Sequence, residues 1–360
     1  MKIALIASAR FPVREPFAGG LEALTWSLVR GLKDRGHEVL LYAAPGSDAA
    51  LQARHLAVRP AVLSDAARAD VSSAPDWWMQ EHHAYLSLML ALAREDADVI
   101  HNNSLHYLPV AMASTLSART VSTLHTPPTA WLESAIQAAD QCPVSFAAVS
   151  EHTARAWRHV VPDATVVRNG IDVQRWAQGP GGGAAVWSGR IVPEKGTHLA
   201  VQAAARAGMP VKVAGPVLDR AYFVEAVEPW LRNGSEYVGH LKTDELARLV
   251  GQACVSLVTP CWEEPYGLVV AESLSCGTPV AGFARGALPE LVGPRHGRLV
   301  ASDSVEPARA VDALAAALVL AAKLDRDVVR AHAVATCSVG AMIDGYELLY
   351  AGNPVQVAAA

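Results

Sequence analysis

Two glutamates bracket the stretch Glu264-Pro-Tyr-Gly-Leu-Val-Val-Ala-Glu272, in a chain where only 18% of residues are charged. Pro265 and Gly267 keep the start of this stretch out of a helix. The apolar run that follows reads as a short helix opening near Gly267. Its first N–H groups and positive dipole end form an anion seat. Glu272 falls one to two turns into that helix. Carboxylates accept readily from vicinal hydroxyls, as on a ribose or a hexose. As purely structural residues the two would be solvated, but the apolar run beside Glu272 argues against full solvation there.

A second group lies upstream, in Ser188-Gly-Arg-Ile-Val-Pro-Glu-Lys-Gly196. Arg190 and Lys195 flank a turn between a strand and a helix, where both cations can converge on one point. Together they suit a diphosphate, Arg as a fork and Lys as a point charge. The alternative is an ordinary solvated loop. Neither a Walker loop nor a G-x-G-x-x-G fingerprint is present. Near the N-terminus, Gly19 and Gly20 open another helix and let backbone N–H groups approach an anion or a sugar oxygen. His101-Asn102 and His125 stand at the ends of two strands, which predicts that both histidines face a ligand cleft.

These residues need elements to position them. Ile3–Ala7, Val39–Ala43, Val99–His101, Thr120–Leu124 and Phe146–Val149 read as strands. The helical segments between them, such as Leu21, Leu24, Leu28, Val29 and Leu32 before Gly36, imply βαβ units and a parallel sheet. After the flexible tract Gln178–Gly183 the pattern restarts. Strands are predicted at Ala185–Trp187, Val211–Ala214, Tyr237–Val238, Val255–Val258, Val280–Phe283 and Arg298–Val300, with a helix over Glu194–Ala207. Two long helices, Leu314–Leu324 and Arg330–Leu349, and a poorly ordered ten-residue tail close the chain. The predicted class is α/β: a first domain over 1–168, a second over 169–335, and a terminal segment over 336–360. Ligands in such sheets bind beyond the carboxyl ends of the strands, where the candidate residues cluster.

Composition removes several function classes. A length of 360 residues favours about two domains. The net charge of −5 and the lack of basic blocks argue against nucleic acid. Leu86–Ala93 is too short to span a membrane, and the first strand lacks the features of a signal sequence. The expectation is a soluble, cytoplasmic protein, with a homodimer left open. Five cysteines without a C-x-x-C pair read as reduced thiols. Asp96-Ala-Asp98 matches a metal-dependent D-x-D string, but it precedes its strand and so lies at the wrong end of the sheet. Asp325-Arg-Asp327 lies between helices, and no metal site is predicted.

Ser188-Gly-Arg190 with Lys195-Gly196, Glu264 to Glu272, Cys276-Gly-Thr-Pro-Val280 and Pro289-Glu290 together resemble the retaining glycosyltransferases of family 4, with the GT-B fold. Gly19-Gly20, Asp98–His101 and Asn169-Gly-Ile-Asp172 extend the resemblance over essentially the whole chain. It implies two Rossmann-like domains facing a cleft, with a C-terminal helix returning to the first domain. It also implies that Arg190 and Lys195 hold the donor diphosphate, that Glu264 binds the transferred hexose, and that Glu272 binds the ribose. Gly267, Leu268 and Val269 would cap the distal phosphate, with Gly19, Gly20, Gly189 and Tyr266 completing the donor site. His125 would lie at the reacting sugar, with His101 and Asn102 on the acceptor side. Where the family often has Gly-Gly before x-Pro-Glu, this chain has Gly286-Ala287.

The implied reaction moves a hexosyl group from a nucleotide-diphosphate sugar, a UDP-sugar before a GDP-sugar, to a small-molecule or saccharide hydroxyl. It needs no cofactor, metal or protein nucleophile. A nucleotide-sugar epimerase or hydrolase, and a non-catalytic nucleotide-sugar binding protein, are the competing readings. Trp77, Trp78, His82 and His83 can line an acceptor pocket or fill the core.

Overall fold

The computed structural model describes residues 1–139, 143–301 and 307–352. Cys142 and most of the ten-residue tail lie outside the described residues.

Short apolar runs pair side by side because each is followed by a helix that covers a sheet face and carries the chain back to the same edge. The first sheet contains β1 (Lys2–Ile6), β2 (Glu38–Ala43), β3 (Arg54–His55), β4 (Val99–Asn102), β5 (Arg119–Leu124), β6 (Val144–Ala148) and β7 (Thr165–Val166). Their order is β3-β2-β1-β4-β5-β6-β7, all parallel. The second contains β8 (Ala185–Ser188), β9 (Val211–Ala214), β10 (Glu236–Gly239), β11 (Ser256–Val258), β12 (Val280–Phe283) and β13 (Gly297–Val300). Its order is β10-β9-β8-β11-β12-β13, also parallel. The two-residue strand β3 carries no apolar run, and β7 falls on the short β-branched stretch Thr165-Val166-Val167, which the predicted strands leave out.

The helix predicted over Glu194–Ala207 begins as a 3₁₀ turn at Pro193–Lys195 and becomes α-helical only at Thr197–Arg206. The helix predicted over Arg330–Leu349 is two, Arg326–Thr336 and Val339–Tyr350. The break is made by tertiary pairing. Ile171 donates to the Cys337 carbonyl at 2.8 Å and accepts from Val339 at 3.0 Å, and the Ser338 hydroxyl caps the second helix.

That break turns the chain back onto the first domain. Met342, Ile343, Tyr346 and Leu349 join Ile3, Leu5, Leu28 and Leu41 in one core. Burying each of Met342, Ile343 and Leu349 contributes ~1.5–3 kcal/mol, enough to hold this helix on the first domain. The remaining helices of the second unit enclose its sheet with two further buried clusters.

Candidate functional site

The cleft between the two sheets is lined by both units. Phe17–Leu21, His125, Trp187–Arg190, Lys195, Glu264–Val269 and Glu272 all border one cavity. Several contacts across the domain boundary fix its walls. The Pro265 carbonyl accepts from the hydroxyls of Ser150 at 2.6 Å and Thr153 at 3.2 Å. Glu290 accepts from the Glu151 and His152 N–H groups at 3.0 and 2.6 Å, so it caps a helix of the first unit rather than lining the cleft. Arg175 pairs with Glu15 on one side and with Asp244 on the other.

Lys195 reaches across the β8 and β11 loops, its ammonium 2.6 Å from Glu264 Oε2. The same oxygen accepts from Trp262 Nε1 at 3.0 Å, and the ammonium lies 4.8 Å from the Trp262 ring centroid. Trp262 is a site residue that sequence reasoning missed; its only signal is its position two residues before Glu264. Arg190 is held by Glu194 at 3.3 Å. It also faces the first unit, where the buried carboxyl of Glu22 is pushed up by burial and drawn back by its backbone hydrogen bond and by Arg190. Nothing in the spacing of Glu22 announces this neighbour.

Gly267 precedes the helix Leu268–Ser275 with φ +95°, a conformation that favours glycine. It aims the opening turn, with Leu268 and Val269, at the cleft. Leu268 also meets the first unit: a Cβ at Gly20 would lie 3.0 Å from its Cδ1. Glu272 borders the same cavity, and burial pushes its carboxyl up to about 7. Tyr266 borders the cavity, but its side chain is buried among core residues that include Leu288 and Cys337.

The two predicted histidines part company. His125 borders the cleft and its Nε2 lies 2.7 Å from Asn103 Oδ1. Asn103 donates through Nδ2 to the Thr25 hydroxyl, which itself donates to the Leu21 carbonyl. That chain fixes the amide, so His125 donates from Nε2 and keeps Nδ1 as an acceptor. Burial lowers its pKa to about 3, so the ring is neutral. Asn103, missed in the sequence, is what positions it.

His101 and Asn102 are corrections to the sequence reading. His101 is fully buried, with Nδ1 2.7 Å from the Tyr350 hydroxyl and Nε2 2.8 Å from Thr123 Oγ1. Asn102 is also fully buried and donates to the Ser122 hydroxyl at 3.0 Å. Both are strand residues of β4, and the returning C-terminal helix covers His101. Asp98 accepts from the Lys2 N–H at 2.7 Å, and Asp325 caps the helix Arg326–Thr336, so both acidic strings do structural work. Among the described residues there is no cluster of three metal-ligating side chains.

A family model for glycosyltransferase family 4 matches residues 18–175, and one for glycosyl transferases group 1 matches residues 175–331. The chain belongs to the GT4-like glycosyltransferases. It is 35% identical over 141 residues to a glycogen synthase of Mycobacterium tuberculosis, a match covering 36% of this chain and 34% of that protein. The chain thus spans about a third of the length of that relative.

Among solved structures, the sucrose-phosphate synthase of Thermosynechococcus elongatus superposes with a TM-score of 0.76 at 18% identity, covering 98% of each chain. The Anabaena protein HepE in complex with UDP-glucose gives a TM-score of 0.73 at 17% identity, covering 98% of this chain and 100% of that one. These likenesses establish the GT-B fold. Among the described residues no helix is long and apolar enough to cross a membrane.

Proposed function

We propose that this glycosyltransferase moves a hexosyl group from a nucleoside-diphosphate sugar to an acceptor hydroxyl with retention of anomeric configuration. The observation that carries this reading is the convergence of Arg190, Lys195, Glu264 and Glu272 on one cleft that His125 also borders. Two cations suit the diphosphate, and two carboxylates suit the hydroxyls of the two sugars it joins. A uridine donor is favoured, and the UDP-glucose held by the Anabaena neighbour supports it.

In this mechanism the C1–O bond breaks with its electron pair leaving on the diphosphate. Arg190 and Lys195 stabilise that charge. The acceptor hydroxyl attacks from the same face and passes its proton to a phosphate oxygen. The protein supplies position and preorganised charge. His125, neutral and with Nδ1 as acceptor, orients a sugar hydroxyl rather than giving up a proton.

Lys195 and Trp262 both hydrogen-bond Glu264 and so orient it. Lys195→Ala therefore removes a leaving-group cation and one support of Glu264. Nucleotide release from UDP-glucose should fall roughly 10²–10³-fold, by analogy with loss of one preorganised donor. Undiminished turnover would overturn the assignment.

A further inference from the structure

Beside the donor cleft lies a second cavity, of about 380 Å³. It shares Trp26, Asp172 and Arg175 with the cleft, but Arg190, Lys195, His125, Glu264 and Glu272 do not border it. Both units build it. Arg14 lies in the loop after β1, and Trp26 and Arg30 lie one turn apart on the helix Gly20–Asp34. Lys242 comes from the second unit, just before the helix Thr243–Gln252.

The carboxylates in its walls are already engaged. Glu15 pairs with Arg175 at 2.5 Å, and Arg175 pairs also with Asp244 at 2.6 Å. Asp48 accepts from Trp26 Nε1 at 3.2 Å and from the Ala50 N–H at 3.0 Å. Asp172 accepts from the Gln174 and Arg175 N–H groups at 3.0 and 3.1 Å.

The remaining cations are not engaged in this way. Among the described residues, no carboxylate pairs with Arg14, Arg30 or Lys242, and all three are exposed. The Arg30 guanidinium stacks over the Trp26 ring, its Cζ 4.5 Å from the centroid. A guanidinium held by its face keeps the N–H groups along its edge for an oxyanion. Arg and Lys side chains donate and cannot accept. What the cavity has left to offer a ligand is therefore charged donors on three separate elements. Four cations stand against three carboxylates in the lining, so placed donors rather than net charge select the ligand.

We propose that this cavity is a second anion site, separate from the donor seat, for a compact molecule bearing at least two phosphate groups held by Arg14, Arg30 and Lys242. Because Lys242 belongs to one unit and the two arginines to the other, the bound anion ties the units together. The proposal needs no transfer step and stands apart from the activity proposed above.

The test is calorimetric titration of inorganic pyrophosphate into a parent chain whose donor seat is stripped, Arg190→Gln with Lys195→Gln, or Lys195→Gln alone if the pair melts early. Arg30→Ala and Lys242→Ala are then added singly, and melting points confirm that each chain is folded. The parent should bind one pyrophosphate. Each added substitution should weaken it about ten-fold, the cost of one charge-assisted contact. Inorganic phosphate should bind the parent more weakly than pyrophosphate. UDP should stabilise wild type, Arg30→Ala and Lys242→Ala alike. No pyrophosphate binding to the parent, or binding that neither substitution weakens, would overturn the proposal. Phosphate bound as tightly as pyrophosphate would overturn the requirement for two phosphate groups. Loss of UDP stabilisation in Arg30→Ala or Lys242→Ala would place these cations in the donor seat and remove the second site. A wild type that ignores UDP would remove the donor reading and leave the pyrophosphate titrations to decide this one.

Discussion

Glu272 is a carboxyl that the fold holds at a cost, and replacing it separates folding from ligand binding. Burial pushes it to about 7, against an ordinary 4.5. The folded chain therefore keeps this proton more tightly than the unfolded chain, and stability is lost as pH rises from about 4.5 through 7. At about 1.4 kcal/mol per pH unit, the gap corresponds to ~3 kcal/mol at pH 8, and to less than about 1 kcal/mol at pH 5. Glu272→Gln keeps the shape and removes the ionisation. By scanning fluorimetry it should melt roughly 5 °C above the wild type at pH 8 and close to it at pH 5. The same variant should lose most of the stabilisation that UDP gives the wild type, because the amide offers one uncharged acceptor oxygen where the carboxylate offers two charged ones. An equal shift at both pH values, or a lower melting point at pH 8, would refute the reasoning. Either result would mean that the carboxylate is well accommodated in the folded chain.

Three other outcomes follow from the same geometry. His125, lowered to about 3, stays neutral across pH 5–8, so the pH profile of nucleotide release should show no histidine titration that vanishes in His125→Asn. A step near 6.5 lost in that variant would contradict this. Gly286→Ala should cost on the order of 1–3 kcal/mol and lower donor affinity. Gly286 sits at φ +59°, with its new Cβ 2.1 Å from the Glu264 carbonyl oxygen; an unchanged melting point and affinity would count against that account. Arg175→Ala frees Glu15 and Asp244 on opposite walls of the cleft. It should enlarge the radius of gyration in solution scattering without nucleotide, and an identical profile would show that the pairing does not hold the walls.

Much of the fold was legible because a buried parallel strand is a continuous apolar run. Val211–Ala214 and Val280–Phe283 begin and end where the runs do. Four cleft residues were legible for a related reason: Arg190, Lys195 and Glu264 lie in loops or turns that follow strands, and Glu272 lies in the second turn of the helix Leu268–Ser275 that such a loop opens. His101 failed because position at a strand end does not say which way a side chain points, and a helix more than two hundred residues later covers it. The single helix expected over Arg330–Leu349 failed because Ile171, far away in sequence, breaks it. Asn103 and Trp262 act through partners that no local pattern names. Ala287, where the family often has glycine, is fully buried and donates to the Glu264 carbonyl at 2.8 Å, so the extra methyl is packed away beneath the loop.

The most direct measurement is a structure of the chain bound to UDP. The diphosphate should lie within hydrogen-bonding distance of both Arg190 and Lys195, over the first turn of Leu268–Ser275, with the ribose hydroxyls on Glu272. A nucleotide seated elsewhere, or one in the cleft that touches neither cation, would contradict the account.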